Sequence, residues 1–178
     1  MRLFIAVELP KSFKAEIARI QKEVKQVSCG GRFVPQENFH ITLHFIGESD
    51  DLVGAVQAMQ EAARGIRPFE LHLGKYHWLE KNDRGRTSIL KVEGNLEELR
   101  ILHESLESAL YDRGFSRDRK KFTPHITLGR NVEQDDLCAE ELTGLSPNAS
   151  MSVQGMVLYE STRENGRMVY TPLHRERF

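Results

Sequence analysis

The sequence predicts an α+β fold of two packed lobes related by a pseudo-two-fold axis. Strand-like apolar runs and helical stripes follow one another in the order β-α-β-α-β, and this order occurs twice along the 178 residues. Shifting the chain by 85 positions superimposes His40 on His125 and Thr42 on Thr127, inside runs of similar pattern. Turn signals between strands favour two mainly antiparallel sheets, so we expect helices on the outer faces and a cleft between the lobes.

The first half of the chain, about residues 1–85, contains signals for three strands and two helices. Cys29-Gly30-Gly31 ends the first helix, and Asn82-Asp83-Arg84-Gly85 is typical of a hairpin turn. In chain order, the predicted elements are strand 3–9, the helix with apolar Phe13, Ile17, Ile20, Val24 and Val27, strand 39–46, the helix with Val53, Val56, Met59 and Ala63, and strand 69–79.

The second half, about residues 86–178, repeats this succession. Asn95 with Glu98 resembles a helix capping box, Gly114 ends that helix, and Asn165-Gly166 predicts the last hairpin. In chain order, the predicted elements are strand 88–93, the helix with Leu96, Leu99, Leu102, Leu106 and Leu110, strand 122–130, helix 134–143, strand 151–160 and strand 167–174. We expect residues 1–178 to form one bilobal domain.

Composition excludes several classes of protein. A net charge of −1 argues against a protein that coats nucleic acid by bulk electrostatics. Cys29 and Cys138 provide neither a disulfide framework nor a metal-binding motif, so we expect a reducing cytoplasm. No run approaches the roughly 20 apolar residues that span a bilayer, so we expect a soluble protein without a membrane partner.

The two His-x-Thr motifs are the candidate catalytic residues. Residues i and i+2 of a strand share one face, so His40 with Thr42 and His125 with Thr127 converge if the lobes face each other. One imidazole can then accept a proton while the other donates one, and the hydroxyls can hold phosphate oxygens. This pattern predicts acid–base chemistry on a phosphodiester. A metal site of His40, His44 and His125 is disfavoured, because no carboxylate or cysteine falls at ligand spacing.

Other residues near the motifs are candidates for binding. Arg130 follows the second motif, and its guanidinium suits bidentate contact with a phosphate. His44 is expected on the face of His40, where it either lines the cavity or has a structural role. Phe45 either stacks on a base or packs at the rim. The basic stretch 113–130 is either a solvated loop or a patch for RNA phosphates.

The runs 38–47 and 123–130 resemble the two HxTx motifs of the 2H phosphoesterase superfamily. The opening Arg-Leu-Phe-Ile-Ala-Val makes the chain more similar to the RNA 2′,3′-cyclic phosphodiesterases, which are the LigT-type proteins also called 2′-5′ RNA ligases. The resemblance extends from the first strand to the closing hairpin. It implies a bilobal α+β fold with the active cleft between the lobes.

The resemblance also implies an activity. A terminal 2′,3′-cyclic phosphate on RNA would be opened to a 2′-phosphomonoester without a metal or cofactor. His40 would protonate the departing 3′ oxygen, His125 would activate water, and Thr42 and Thr127 would bind the phosphate. The symmetry of the motifs alone permits either assignment of the histidines. Some relatives also join RNA ends through a 2′-5′ linkage, and no residue here decides that point.

Two alternatives remain open at the level of sequence. The substrate is either an RNA end or a small cyclic nucleotide, and the basic stretch favours the longer one. A nucleotide- or RNA-binding module without turnover is a different class, which the two intact motifs argue against. We expect a monomer, because two halves of one chain already complete the proposed site.

Overall fold

The computed structural model describes all 178 residues, which form four α-helices, nine strands and a short 3₁₀ helix at Gln36–Asn38. The helices are α1 (Lys11–Gln26), α2 (Leu52–Ala63), α3 (Leu96–Tyr111) and α4 (Asp136–Leu142). The strands are β1 (Arg2–Glu8), β2 (Gly30–Phe33), β3 (His40–Glu48), β4 (Phe69–Asn82), β5 (Gly85–Gly94), β6 (His125–Glu133), β7 (Ser150–Val153), β8 (Gly155–Glu164) and β9 (Arg167–Arg177).

The strands form two sheets, and every pair of neighbouring strands is antiparallel. The first sheet has the order β3-β1-β8-β9, and the second has the order β2-β6-β5-β4-β7. Each sheet carries one His-x-Thr motif, on β3 and on β6 respectively. The predicted α+β class with two antiparallel sheets and a cleft between two lobes is confirmed.

Each sheet combines strands from both halves of the chain. The bounds of α1 and α3, and those of β3 and β6, differ by 85 residues at both ends. In space, the order β3-β1-β8 of one sheet matches the order β6-β5-β4 of the other. The tight turn before Gly85 folds β4 back along β5, so this strand of the first half joins the second sheet. The two lobes are therefore interleaved along the sequence.

The helices bury most of the apolar residues that the sequence predicts, and the exposed exceptions are Val27, Val53 and Leu96. The stripe of α1 is buried from Phe13 to Val24, whereas Val27 lies beyond the helix and is exposed. In α2 the buried face consists mainly of alanines with Met59, and Val53 is 69% exposed. Small side chains let α2 pack closely against α3, which explains why the larger valine points outward. No helix is long and apolar enough to cross a bilayer.

Two local predictions are wrong, and one strand was not predicted. Gly30 and Gly31 follow the end of α1 as expected, but they also begin the edge strand β2 beside β6. The single strand expected over 151–160 is two strands, because the chain passes from the second sheet to the first after Val153. Asn95 does not cap α3 with its side chain. Its Oδ1 accepts a hydrogen bond from the backbone N–H of Glu70 at 3.0 Å.

Candidate active site

A β-bulge in β3 decides which residues of the first motif face the cleft. His40 and Thr42 share one face as predicted, but the pairing of β3 with β1 slips by one residue between Thr42 and His44. His44 is consequently 3% exposed and donates from Nδ1 to the Glu107 carboxylate, whereas Phe45 is 46% exposed and lines the cleft. The prediction that His44 shares the face of His40 is therefore wrong, because the bulge shifts the alternation of side chains.

The second motif contains the same bulge at the equivalent position. The pairing of β6 with β5 slips by one residue between Thr127 and Gly129. Arg130 is thereby turned toward the cavity that Thr127 lines, although it follows Thr127 by three positions along the strand. Phe45 and Arg130 each follow their motif histidine by five residues. The pseudo-two-fold axis thus relates an aromatic ring on one lobe to a guanidinium on the other.

The two motifs meet in a cavity of about 530 Å³ between the sheets. Its walls include all the residues that the sequence nominates for catalysis and phosphate binding: His40, Thr42, His125, Thr127 and Arg130. Phe45 also lines this cavity. A space of this size is typical of a pocket for a nucleotide-sized ligand.

A second cavity of about 380 Å³ continues the cleft on the other side of the motifs. The residues that line both cavities are Thr42, Phe45, His125 and Arg130. Lys120 and Lys121 of the basic stretch lie in its wall, and the buried His44 also borders it. Arg113 of the same stretch is engaged elsewhere, in an ion pair of 2.5 Å with Glu61. Only part of the stretch 113–130 therefore faces the cleft.

Backbone carbonyls fix the proton positions on both imidazoles. His40 Nδ1 lies 2.7 Å from the carbonyl oxygen of Asn38, and His125 Nδ1 lies 2.6 Å from that of Thr123. Because a carbonyl oxygen can only accept, we assign the proton of each neutral ring to Nδ1. Nε2 is then the nitrogen that exchanges a proton, and in His40 it lies 3.0 Å from Thr42 Oγ1. Both rings thus have the same tautomer and an Nε2 available for acid–base chemistry.

The cleft favours the neutral form of both rings. Burial is the largest cause, and it lowers the pKa of His40 and that of His125. The hydrogen bonds to the two carbonyls act in the opposite direction. Arg130 lowers the pKa of both histidines further, and the charge of His125 lowers that of His40. A bound phosphate would reverse this effect, because a negative charge stabilises an imidazolium ion.

An aromatic wall that the sequence did not reveal holds the His40 ring. The centroid of the Phe4 ring lies 5.0 Å from that of His40, and the Tyr170 ring meets His40 edge-on at 5.3 Å. Phe4 also stacks on Tyr159 at 5.2 Å. The alternation of β1 is a signal that places Phe4 on the cleft face. No local pattern predicts Tyr170, because β9 reaches the first sheet only through the fold.

Glu107 connects the first motif strand with the loop that leads to the second motif. Its carboxylate accepts from His44 and from the backbone N–H of Asp118, the latter at 3.2 Å. His103 Nε2 lies 3.5 Å from the same carboxylate, and its ring stacks on Phe122 at 4.0 Å. Glu107 is 7% exposed, so these contacts are shielded from water. Together they hold the loop between α3 and β6 in place.

Comparison with protein families gives one match that covers most of the chain. The model of the 2′-5′ RNA ligase superfamily matches residues 9–165. Among curated proteins, an RNA 2′,3′-cyclic phosphodiesterase of Thermotoga maritima is 28% identical over 100% of this chain and 96% of its own length. One of the same name from Archaeoglobus fulgidus is 34% identical over 73% of this chain and 72% of its own.

Solved structures agree with the family match. E. coli LigT in complex with 3′-AMP superimposes with a TM-score of 0.78 and 27% identity, over 99% of this chain and 97% of LigT. A protein of Thermus thermophilus superimposes with a TM-score of 0.78 and 27% identity, over 98% of this chain and 96% of its own.

Proposed function

The chain belongs to the 2′-5′ RNA ligase superfamily, and we propose that it is an RNA 2′,3′-cyclic phosphodiesterase. It opens the cyclic phosphate at an RNA end to a 2′-phosphomonoester and a free 3′ hydroxyl. The observation that carries this proposal is the convergence of two His–Thr pairs and Arg130 on one cavity. The curated relatives that bear the name of this activity support it.

Three side chains bind the cyclic phosphate before the chemical step. Thr42 and Thr127 donate hydroxyl hydrogens to its non-bridging oxygens from opposite lobes, and the Arg130 guanidinium neutralises its charge. A five-membered cyclic phosphate is strained, so ring opening needs positioning and proton transfer more than it needs a strong electrophile. The two threonines and Arg130 all project from rigid strands, which reduces the entropy lost in reaching the transition state.

Proton transfer is divided between the two rings. His125 Nε2 accepts a proton from water as the water oxygen bonds to phosphorus, and His40 Nε2 donates a proton to the 3′ oxygen as the P–O3′ bond breaks. His40 must begin protonated, and the charge of the bound phosphate favours that state despite burial. Proton exchange with solvent then restores both rings. The tautomer of each ring leaves its Nε2 able to exchange a proton, and the family resemblance assigns which ring is the acid.

The cleft also bears on the choice of substrate. Lys120 and Lys121 line the second cavity beside the motifs and add positive charge to the cleft, which supports an RNA end over a small cyclic nucleotide. All of these residues belong to one chain, which supports the expectation that a monomer suffices. A binding module without turnover is disfavoured, because it leaves the matched pairs of histidine and threonine without a purpose.

The proposal is tested with a short RNA that ends in a 2′,3′-cyclic phosphate, incubated with the protein in EDTA. We expect conversion to the 2′-phosphate, which ³¹P NMR distinguishes from the 3′-phosphate. The mononucleotide 2′,3′-cyclic phosphate serves as the comparison substrate and should turn over more slowly. Binding of the RNA without any product would contradict the proposal. Activity lost in EDTA and restored by a divalent cation would contradict the metal-independent mechanism.

A further inference from the structure

The first cavity contains an unusual concentration of uncompensated positive charge. Four arginines line it, and no aspartate or glutamate does: the arginines are Arg2, Arg32, Arg130 and Arg163. The arginines that form ion pairs in this structure are all elsewhere: Arg19, Arg86, Arg100, Arg113 and Arg175. Because the chain as a whole has a net charge of −1, this cavity is a local exception that an anionic ligand would neutralise.

Two of the four arginines lie together on the second sheet. Arg32 on β2 and Arg130 on β6 are directly opposite each other across the strands. Like charges in this position repel, so the pair is unfavourable until an anion lies between them. Arg130 is also close enough to both motif histidines to lower their pKa. The reacting phosphate is therefore the natural counter-ion of this pair.

The other two arginines lie apart from that pair, on the first sheet. Arg2 begins β1, and Arg163 lies near the end of β8, the strand that pairs with β1. The Arg2 guanidinium lies over the Phe45 ring at 5.1 Å, which fixes its position beside the cleft. Arg2 precedes Phe4 by two residues, a step of about 6.8 Å along a strand. The Phe4 ring in turn contacts His40 and stacks on Phe45 at 6.4 Å, so the rings of Phe45 and Phe4 lie between the Arg2 guanidinium and the His40 ring.

We propose that Arg2 and Arg163 bind a second phosphate of the substrate, the one on the 5′ oxygen of the nucleotide that carries the cyclic phosphate. This inference rests on the proposed function. The ribose separates its 2′,3′ edge from its 5′ oxygen, so a cyclic phosphate held by Arg130 directs the 5′ phosphate away from the histidines, toward Arg2 and Arg163. The preferred substrate class is then a cyclic phosphate with a further phosphate on its 5′ side, as in RNA.

Three substrates with the same base test this assignment. They are adenosine 2′,3′-cyclic phosphate, its 5′-phosphorylated form, and the dinucleotide ApA with a terminal 2′,3′-cyclic phosphate. For the unmodified protein we expect kcat/KM to be at least about 10-fold higher for the two substrates with a second phosphate. This advantage should decrease as salt concentration rises. The 5′-phosphorylated nucleotide carries a phosphate monoester and the dinucleotide a phosphate diester. A similar gain in kcat/KM for both would show that the negative charge of the second phosphate is what the protein binds.

Variants in the β8–β9 hairpin distinguish a direct contact of Arg163 with the second phosphate from a general effect of positive charge. Arg163→Ala should reduce the advantage to about 3-fold or less, and Arg163→Lys should retain part of it. Arg167→Ala, in the same hairpin but outside the cavity wall, should leave the ratio as it is in the unmodified protein. Thermal unfolding of each variant verifies that it is folded. The measured quantity is the ratio of kcat/KM between substrates with and without the second phosphate. A variant that loses activity equally on all substrates leaves this ratio unchanged.

Equal kcat/KM for all three substrates would overturn this inference and leave the proposed function intact. An advantage of the dinucleotide alone would assign the effect to its second nucleoside and would also overturn it. An equal loss of the advantage in Arg163→Ala and Arg167→Ala would do the same. Failure to turn over any of the three substrates would instead overturn the proposed function.

Discussion

Removal of the Glu107 side chain should destabilise the fold strongly, because it leaves a buried imidazole without its acceptor. The Glu107 side chain is 9% exposed and that of His44 is 2% exposed. Leaving a buried hydrogen-bond donor without its acceptor costs about 1–3 kcal/mol of unfolding free energy. Glu107→Ala also removes the acceptor of the Asp118 backbone N–H, so the loss for the two donors together is about 2–6 kcal/mol. For a chain of this size we therefore expect the Tm to fall by roughly 4–24 °C.

The matched control is Glu104→Ala on the same helix. Glu104 has 61% of its side chain exposed and pairs with Arg100 at 2.6 Å on the surface. Such a pair contributes less than about 1 kcal/mol, so this variant should unfold almost as the unmodified protein does. Urea denaturation of both variants, with the m-value compared, measures the difference in unfolding free energy. Amide hydrogen exchange should increase in the loop around Asp118 only in Glu107→Ala.

A double-mutant cycle identifies the contact that is responsible. His44→Ala with Glu107→Ala should cost less than the sum of the two single variants, by about 1–3 kcal/mol, because the pair is lost only once. Glu107→Ala that unfolds at the same urea concentration as Glu104→Ala would refute the reasoning. Additivity within about 0.5 kcal/mol would show that the pair itself contributes nothing.

Three further predictions concern activity. Burial lowers the pKa of His40 and that of His125 below the ordinary 6.5, so the acid of the free enzyme loses its proton at a pH below 6.5, and kcat/KM should already decrease there as pH rises. Arg130→Gln removes a cation that lowers both values and should shift both limbs of the profile to higher pH; an unchanged profile would contradict this. Thr42→Val and Thr127→Val each remove one donor to the phosphate and should lower kcat/KM by about 10- to 100-fold, whereas the exposed Thr171→Val should not. Steady-state kinetics with the RNA substrate checks all three, and a normal Thr42→Val enzyme would argue against the phosphate contact.

Local periodicity was sufficient to predict most of the fold. The stripe from Phe13 to Val24 has helical spacing, and its burial in α1 depends only on which face is apolar. The alternation around His40 likewise predicted the strand that carries it. The shift of 85 residues indicated that a second strand would carry His125 in the same way. Features of this kind are encoded within one segment, so the sequence of that segment reveals them.

The parts that could not be predicted depend on pairing between distant segments. The bulge that buries His44 and exposes Phe45 exists only in the register of β3 against β1, which no pattern within β3 specifies. The strand β2 has four residues, two of them glycines, and is stabilised by the edge of β6. Tyr170 reaches His40 because β9 joins the sheet of the first motif. The repeated motifs of the candidate site could therefore be predicted from the sequence. The contacts that depend on strands crossing between the two halves of the chain could not.

The division of labour between the histidines is tested most directly with a substrate that needs no acid. We would compare an RNA ending in an ordinary 2′,3′-cyclic phosphate with one in which sulfur replaces the bridging 3′ oxygen. A thiolate departs without protonation, so only the base remains necessary. His40→Ala and His125→Ala should each lower kcat/KM by about 10²-fold or more on the oxygen substrate.

On the sulfur substrate the two variants should separate. The proposed mechanism predicts that His40→Ala regains activity close to that of the unmodified protein, whereas His125→Ala remains slow. Recovery of His125→Ala instead would reverse the assigned roles of the two rings. Impairment of His40→Ala to the same extent on both substrates would contradict the claim that His40 protonates the departing 3′ oxygen.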